Sequence, residues 1–273
     1  MTLDRSPTPV ALVTGASSGV GAVTASALVR RGWRVFGTSR HDNAGPPGVA
    51  MLTLDVDDDA SVSACAAELS RRAGALDVLV NNAGRAMVGA CEETGADEAR
   101  ALFETNVFGV MRVVSALLPM MRGRRRGHIV NIGSLSGFVG VPFHGVYAAS
   151  KHALAGYSEA LRVELAPFGV AVSLIEPAAH RTAIAMSRPR TPMAVYDQGR
   201  AHVEAIIRGQ IDRGASPERI AAAVVAAVSS PRPPFRLRVG GKATYAAWGR
   251  RLLPSRAFEA LIRHEFGLPA ATP

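Results

Sequence analysis

Short runs rich in β-branched residues alternate with longer helical patterns along most of this chain, and nothing else in it constrains the fold as tightly. Strands read at residues 10–14, 33–38, 50–54, 77–81, 127–132 and 170–176, with helices at 20–31, 58–73, 97–121 and 147–167. Strands separated by helices pair in parallel, and right-handed crossovers cover both sheet faces. Beyond Glu176 the pattern loosens: residues 178–197 carry Pro189 and Pro192 and no clear strand. Helices at 203–213 and 217–229 follow, then a last strand at 236–239 behind the breaker Pro231-Arg232-Pro233-Pro234. The expected fold is α/β, a Rossmann-type doubly wound parallel sheet of about seven strands, with ligands at the carboxyl ends of the strands.

Residues 1–273 read as one domain, with a substrate lid at 178–213 and a C-terminal tail at 240–273. Hydrophobic residues make up 48% and charged residues 19%, enough to build a large core and to exclude global disorder. Cys65 and Cys91 are too far apart in sequence for a metal motif or a disulfide framework, so no metal site is expected. The first nine residues are polar and lack the apolar stretch of a signal peptide. No uncharged apolar run reaches the length of a membrane span, roughly 18 residues. The expectation is therefore a cytoplasmic protein with no membrane span.

The net charge of +9 is unevenly placed. From Pro231 onward eight Lys and Arg face two Asp and Glu, and Arg122, Arg124, Arg125 and Arg126 form a second cluster. Nucleic-acid binding is conceivable on such a balance. A solvated surface loop in an Arg-rich chain is the plainer reading, and no nucleic-acid partner is expected.

The segment Thr14-Gly15-Ala16-Ser17-Ser18-Gly19-Val20-Gly21 joins the first strand to the first helix. Glycines permit a tight turn and close approach of a pyrophosphate, and the helix N-terminus supplies free N–H groups and partial positive charge. A Gly-rich turn between strand and helix is the context a dinucleotide site requires. The second strand ends Thr38-Ser39-Arg40, with no carboxylate to hold a ribose 2′-hydroxyl. A guanidinium there can grip a 2′-phosphate, so NADP(H) is favoured over NAD(H), although Arg40 also suits an ordinary surface position. Asp55, followed by Val56, is placed either to accept from the adenine amino group or to cap the next helix.

Tyr147 and Lys151 stand four apart at the start of a helix and so share a face. A free phenol titrates near about 10 and is a poor base at neutral pH; a nearby ammonium lowers it. Ser134 follows the fifth strand, where a sheet of this kind binds ligands, with Ser136 a competing hydroxyl. Asn106 lies inside an otherwise apolar helix and must find partners; a water-linked bond toward Lys151 and a locally satisfied kink are the two readings. Asn81-Asn82-Ala83-Gly84 closes the fourth strand and alone is only a turn signal.

Together these pieces resemble the short-chain dehydrogenase/reductase family from about residue 10 to 239, nearly the whole chain. Gly15, Gly19 and Gly21 resemble its Gly-rich turn, Asn82-Ala83-Gly84 its strand-end motif, and Asn106, Ser134, Tyr147 and Lys151 its catalytic tetrad. The resemblance implies Tyr147 as acid/base, Ser134 as oxyanion partner, Lys151 as ribose ligand and modulator of the phenol, and Asn106 as anchor of a proton relay. It implies a cofactor groove of Gly15, Ser17, Ser18, Gly19, Val20, Gly21, Arg40, Asp55, Val56, Asn82, Ala83 and Gly84. Tyr147, Lys151, Pro177, Ala178, His180 and Thr182 complete that groove. Ala178 stands where the family commonly has glycine; if φ were positive there, Ala would cost roughly 1 kcal/mol.

The basic, aromatic tail resembles the branch that holds hydroxysteroid and retinol-type enzymes, which implies a bulky apolar ketone or alcohol. The tail otherwise reads as a helix packed on its own domain or on a partner subunit, with membrane-surface contact a further alternative. Ser134, Phe138, Val141, Phe143, His144 and Tyr147 are the expected substrate-side residues, although His144 also suits an exposed turn. By analogy with the family, a homodimer or homotetramer is expected. The expected reaction is hydride transfer from NADPH to a ketone or aldehyde with Tyr147 as proton donor. Alternatives are alcohol oxidation with NAD(P)+ and a cofactor-binding protein without turnover; nucleotide-sugar chemistry is disfavoured because the chain has little room for a substrate domain.

Overall fold

The computed structural model describes residues 8–182 and 184–269. Its main sheet has seven parallel strands: β1 Val10–Val13, β2 Arg34–Ser39, β3 Val49–Thr53, β4 Val78–Asn81, β5 Gly127–Ile132, β6 Val170–Pro177 and β7 Arg236–Val239. Their spatial order is β3-β2-β1-β4-β5-β6-β7, with every neighbouring pair parallel. The order reverses between β1 and β4, and the crevice beyond the strand ends at such a switch point is where ligands bind. Central strands β1 and β4 are buried at every residue, as expected of a parallel sheet covered on both faces.

One face carries α1 Gly19–Val29 and α7 Pro217–Ser229, which pack on each other and bury Val20, Leu28, Ile220 and Val224 over Val13, Val35, Val80 and Ile175. The other carries α2 Asp59–Ala73, the helix α3 Ala96–Phe103 continued by α4 Gly109–Arg122, and α5 Gly145–Leu165. There Leu12, Phe36, Leu79 and Ile129 meet Leu69, Val113, Leu117 and Leu154. Each such side chain contributes about 1.5–3 kcal/mol by leaving water. The Asp58 carboxylate caps α2 by accepting from the Ala60 N–H at 3.0 Å, and Gly74 ends it in a left-handed conformation at φ 67°.

The long helix predicted at 97–121 is present but not regular. A π-helical turn, Glu104–Phe108, separates α3 from α4 and carries Asn106. The run Ala96–Arg122 is long enough to span a bilayer and holds an 18-residue stretch apolar enough to do so, with a mean hydropathy of 1.4. A core helix passes the same test, and Val110, Val113, Val114, Leu117 and Met121 are buried in the core.

The lid is more ordered than its sequence suggests. Residues 178–197 were expected to hold no strand, yet Met186–Ser187 pairs in parallel with Ala86–Met87. The following helix α6, Asp197–Asp212, begins six residues before the predicted start. The extra turn is fixed by distant partners: Arg200 reaches the buried Glu93 carboxylate, and Glu93 also accepts from the Met193 N–H at 3.0 Å. Tyr196 donates to Glu92 at 2.5 Å, and the Arg190 N–H to Glu98 at 2.8 Å. The tail forms two helices, α8 Gly241–Leu252 and α9 Ser255–Glu265.

Candidate active site

A cleft of about 370 Å³ runs along the carboxyl ends of the first five strands and under the lid. It is lined by Gly15, Ser17, Ser18, Gly19 and Val20 after β1, by Ser39 and Arg40 at the end of β2, and by Asp55 and Val56 after β3. Asn82, Ala83 and Gly84 after β4, Gly133 after β5, Tyr147 and Lys151 on α5, and His180 and Thr182 in the lid complete it. Gly21, Asn106, Ser134, Pro177 and Ala178, also predicted for the site, stand behind that lining.

The turn after β1 is built from glycines whose replacement would strain it. Gly15 and Gly19 sit at φ 66° and 55°, in the left-handed region. A Cβ on Gly21 would lie 2.1 Å from the Gly15 carbonyl oxygen. Asn82 locks the turn from the side: its Nδ2 donates to the Thr14 and Gly15 carbonyls at 2.9 and 3.2 Å. In return the Thr14 hydroxyl accepts from the Asn82 and Ala83 N–H groups at 2.9 and 3.0 Å. Ser18 begins α1 without a side-chain cap, and no acid stands in the first turn. The uncapped N–H groups at this end of α1 and the left-handed glycines beside it make a cradle that a phosphate fits.

At the β2 end of the cleft Arg40 is exposed, with His41 and Asn43 beside it. Asp55 does not cap α2, since Asp58 does. Its backbone N–H donates to Ser61 at 2.9 Å, and its carboxylate accepts from the Asp57 N–H at 3.1 Å. Residues 55–57 are thereby held as a short rim at the cleft. Asp57 and Arg85 also line the cleft and were not singled out from sequence. Burial pushes the Asp57 carboxyl up, while the Thr105 hydroxyl, donating at 2.9 Å, opposes that shift.

Tyr147 and Lys151 are both buried on α5. The Lys151 Nζ donates to the Ile132 carbonyl at 2.9 Å and lies 5.9 Å from the Tyr147 ring centre. Burial lowers the Lys151 ammonium to about 8. Burial raises the Tyr147 phenol, and a hydrogen bond with the Ser134 side chain partly offsets this. Ser134 therefore stands beside the phenol; its hydroxyl also accepts from the Ser136 N–H at 3.1 Å, which leaves buried Ser136 a supporting role.

Asn106 finds direct partners on two other elements. Its Oδ1 accepts from the Arg85 N–H at 2.9 Å, and its Nδ2 donates to the Arg85 carbonyl at 2.9 Å and to Ser150 at 3.0 Å. Ser150 in turn donates to the Tyr147 carbonyl at 2.8 Å. Asn106 thus fastens the strand-end motif to the first turn of α5, and the π turn brings its amide into register for this. The strain anticipated at Ala178 is absent: its φ is not positive, and its N–H donates to the Val239 carbonyl at 2.9 Å. Phe143 carries the strain instead, at φ 55°.

On the substrate side the exposed reading of His144 is overturned. The residue is buried, with its ring edge-on to Tyr147 at 5.1 Å between centres. Its Nε2 has no partner among the described residues. Phe143 meets the lid residue Tyr196 and, with Val141, packs in a cluster that includes Val203, Ile262 and Phe266. Phe138 lies under the Arg238 guanidinium, 5.4 Å away, rather than on the cleft.

His128, at the opposite end of β5, and His144 give the fold an acid response. Burial pushes both imidazoles down to about 4, below their ordinary 6.5. Between those values the unfolded chain binds more protons, so stability falls as pH drops from about 6.5 to about 4. Each histidine accounts for up to about 3 kcal/mol of that fall. His144→Leu should flatten the profile of urea midpoint against pH in this window. An unchanged slope would count against the neutral buried ring.

The model of the short chain dehydrogenase family matches residues 9–192. The chain belongs to that family. This short-chain dehydrogenase is 38% identical over 235 residues to the 3-ketodihydrosphingosine reductase of Bacteroides thetaiotaomicron, covering 85% of this chain and 87% of that one. Human retinol dehydrogenase 8 is 37% identical (82% and 79% covered), and human 17-beta-hydroxysteroid dehydrogenase type 1 is 35% identical (83% and 76%). A solved short-chain dehydrogenase from Streptomyces avermitilis superposes with a TM-score of 0.84 at 36% identity, covering 95% of this chain and 96% of that one. The dehydrogenase is thus an oxidoreductase whose relatives include the hydroxysteroid and retinol branch.

Proposed function

We propose that this dehydrogenase is an NADPH-dependent ketoreductase for bulky, apolar carbonyl compounds. The observation that carries the reading is Tyr147 and Lys151 near the end of β5, in one cleft with the glycine turn and Arg40, with Ser134 hydrogen-bonded to the Tyr147 phenol from behind. Gly15 to Gly21 would hold the pyrophosphate, Arg40 the 2′-phosphate, Asp55 and Val56 the adenine, and Lys151 the ribose next to the nicotinamide. Asn82 to Gly84, Pro177, Ala178, His180 and Thr182 would complete that groove. When bound, the nicotinamide supplies the hydride.

The chain's own groups handle the proton. The Tyr147 phenol stays protonated at neutral pH and donates to the substrate oxygen as the carbonyl carbon is reduced. The Ser134 hydroxyl donates to the same oxygen and fixes its position. The Lys151 ammonium, held by the Ile132 carbonyl, stabilises the phenolate that remains. His144 and Met186, packed around Tyr147, would wall the substrate side, with Val141 and Phe143 behind Met186. The apolar class agrees with relatives named for 3-ketodihydrosphingosine, a hydroxysteroid and retinol. Two of those are named dehydrogenases, which favours alcohol oxidation as the second reading.

The same reading takes residues 1–273 as one cytoplasmic domain that assembles as a homodimer or homotetramer. Exposed Phe108 and Val163 on the long helix faces support assembly there. The direct test is a screen of NADPH and NADH consumption against ketones, steroids, quinones and long-chain 3-keto amines. No turnover with any of them, together with no nucleotide binding, would sink the proposal. Arg40→Ala should weaken NADPH binding by about 10- to 100-fold, the loss of one charge-assisted contact, and leave NADH nearly unchanged. Fluorescence titration of both nucleotides reads this out, and an equal loss for both would remove Arg40 from the selecting role.

A further inference from the structure

We propose that α8 and the α8–α9 turn form a docking surface for an anionic lipid bilayer. In α8, Tyr245, Trp248 and Leu252 recur at helical spacing and share one face. That face points outward: the three are 78%, 54% and 69% exposed, whereas Ala243 on the opposite side is fully buried. Leu253 in the turn and Leu261 on α9 are also exposed, at 42% and 46%. A surface helix of a soluble domain normally turns its apolar stripe inward. Here the stripe is turned to solvent and holds Trp and Tyr, the residues that settle at the polar boundary of a bilayer.

The surrounding charge decides between occupants. Residues 240–258 contain Lys242, Arg250, Arg251 and Arg256 and no Asp or Glu. Lys242 is paired with Glu265, and Arg250 lies over the Phe258 ring. Arg251 and Arg256 have no carboxylate partner among the described residues. A second copy docked symmetrically on this face would bring these arginines against their own counterparts. An anionic lipid surface instead neutralises them while the stripe enters the headgroup boundary. The inner face of α9 anchors the surface: Phe258 is buried, and Ile262 and Phe266 join the cluster that includes Phe143. Docking would therefore bring the substrate side of the protein close to the bilayer.

The test uses the full chain and no catalytic readout, so its outcome is independent of the proposed reaction. Trp33→Phe leaves Trp248 as the only indole. This protein is mixed with vesicles of phosphatidylcholine alone or with about 30% phosphatidylglycerol, and both co-sedimentation and emission are followed. The expected result is binding to the anionic vesicles, a blue shift of Trp248, and release as salt is raised. Arg251→Glu with Arg256→Glu should weaken binding by at least about tenfold, and Trp248→Ser with Leu252→Ser should abolish it. Circular dichroism should be unchanged for both pairs, since all four side chains are exposed. No association with anionic vesicles, or association indifferent to both pairs of substitutions, would overturn the proposal. So would a change of oligomeric state in Trp248→Ser with no vesicle binding by the parent, which would assign the face to a second copy.

Discussion

Tyr147→Phe should lower turnover by about 10²- to 10⁴-fold while nucleotide affinity and melting temperature stay close to those of the parent. The substitution removes one hydroxyl and keeps the ring, so packing against Ala86, Met87 and Leu102 survives. What disappears is the proton that must reach the substrate oxygen as carbon is reduced. Lys151 cannot replace it, because its Nζ is turned to the Ile132 carbonyl. Ser134 cannot either, since a hydroxyl is too weak an acid to complete the transfer unaided. Nucleotide titration together with single-turnover reduction separates binding from chemistry. Retained turnover would remove Tyr147 as proton donor, and loss of nucleotide binding would mean the variant has damaged the groove.

Gly21→Ala should cost stability and cofactor binding together, although it adds one methyl group to a helix. Elsewhere in a helix the same change helps. A Cβ on Gly156 of α5 meets nothing within 4 Å, so Gly156→Ala should stabilise by about 0.5–1 kcal/mol. At Gly21 the new carbon would lie 2.1 Å from the Gly15 carbonyl oxygen and 2.6 Å from Asn82 Nδ2. Backbone cannot swing aside as a flexible side chain can, so the turn must open and the Asn82 bonds must lengthen. The overpacking cost is about 1–3 kcal/mol. Nucleotide affinity should fall by at least tenfold, because the N–H groups proposed to hold a pyrophosphate are displaced. Urea denaturation and fluorescence titration of both variants make the comparison, and a Gly21→Ala protein as stable and as tightly binding as the parent would refute the account.

Much of the candidate site is legible in the sequence because its signals are local. Tyr147 and Lys151 are linked by helical spacing alone, and Gly15, Gly19 and Gly21 by the demands of one turn. Arg40 is marked by its place directly after β2. Asn106 was visible as a polar residue inside an apolar helix, but not its partners: Arg85 lies 21 positions away and Ser150 lies 44 away. The π turn that aims it leaves no mark in composition. Asp57 and Arg85 escaped because each stands one step past a recognisable motif and reaches the cleft only when the strand ends are brought together. The exposed alternative for His144 arose because a His after Pro-Phe in a Gly-containing loop reads as a turn until Tyr147 is seen to cover it.

The alternation of strands and helices is written in the order of residues, and with it the parallel sheet and the strand ends where chemistry can occur. Periodicity and turn residues act over a few positions, and these suffice for elements and for their order. What depends on pairs distant along the chain emerges only once the chain is folded. Tertiary contacts set the strand joining Met186–Ser187 to Ala86–Met87 and the early start of α6 on the Glu93–Arg200 pair. They also set the direction in which the stripe of Tyr245, Trp248 and Leu252 faces. An amphipathic pattern fixes which residues share a face, but only the partner that covers or leaves that face settles whether it is turned inward or out.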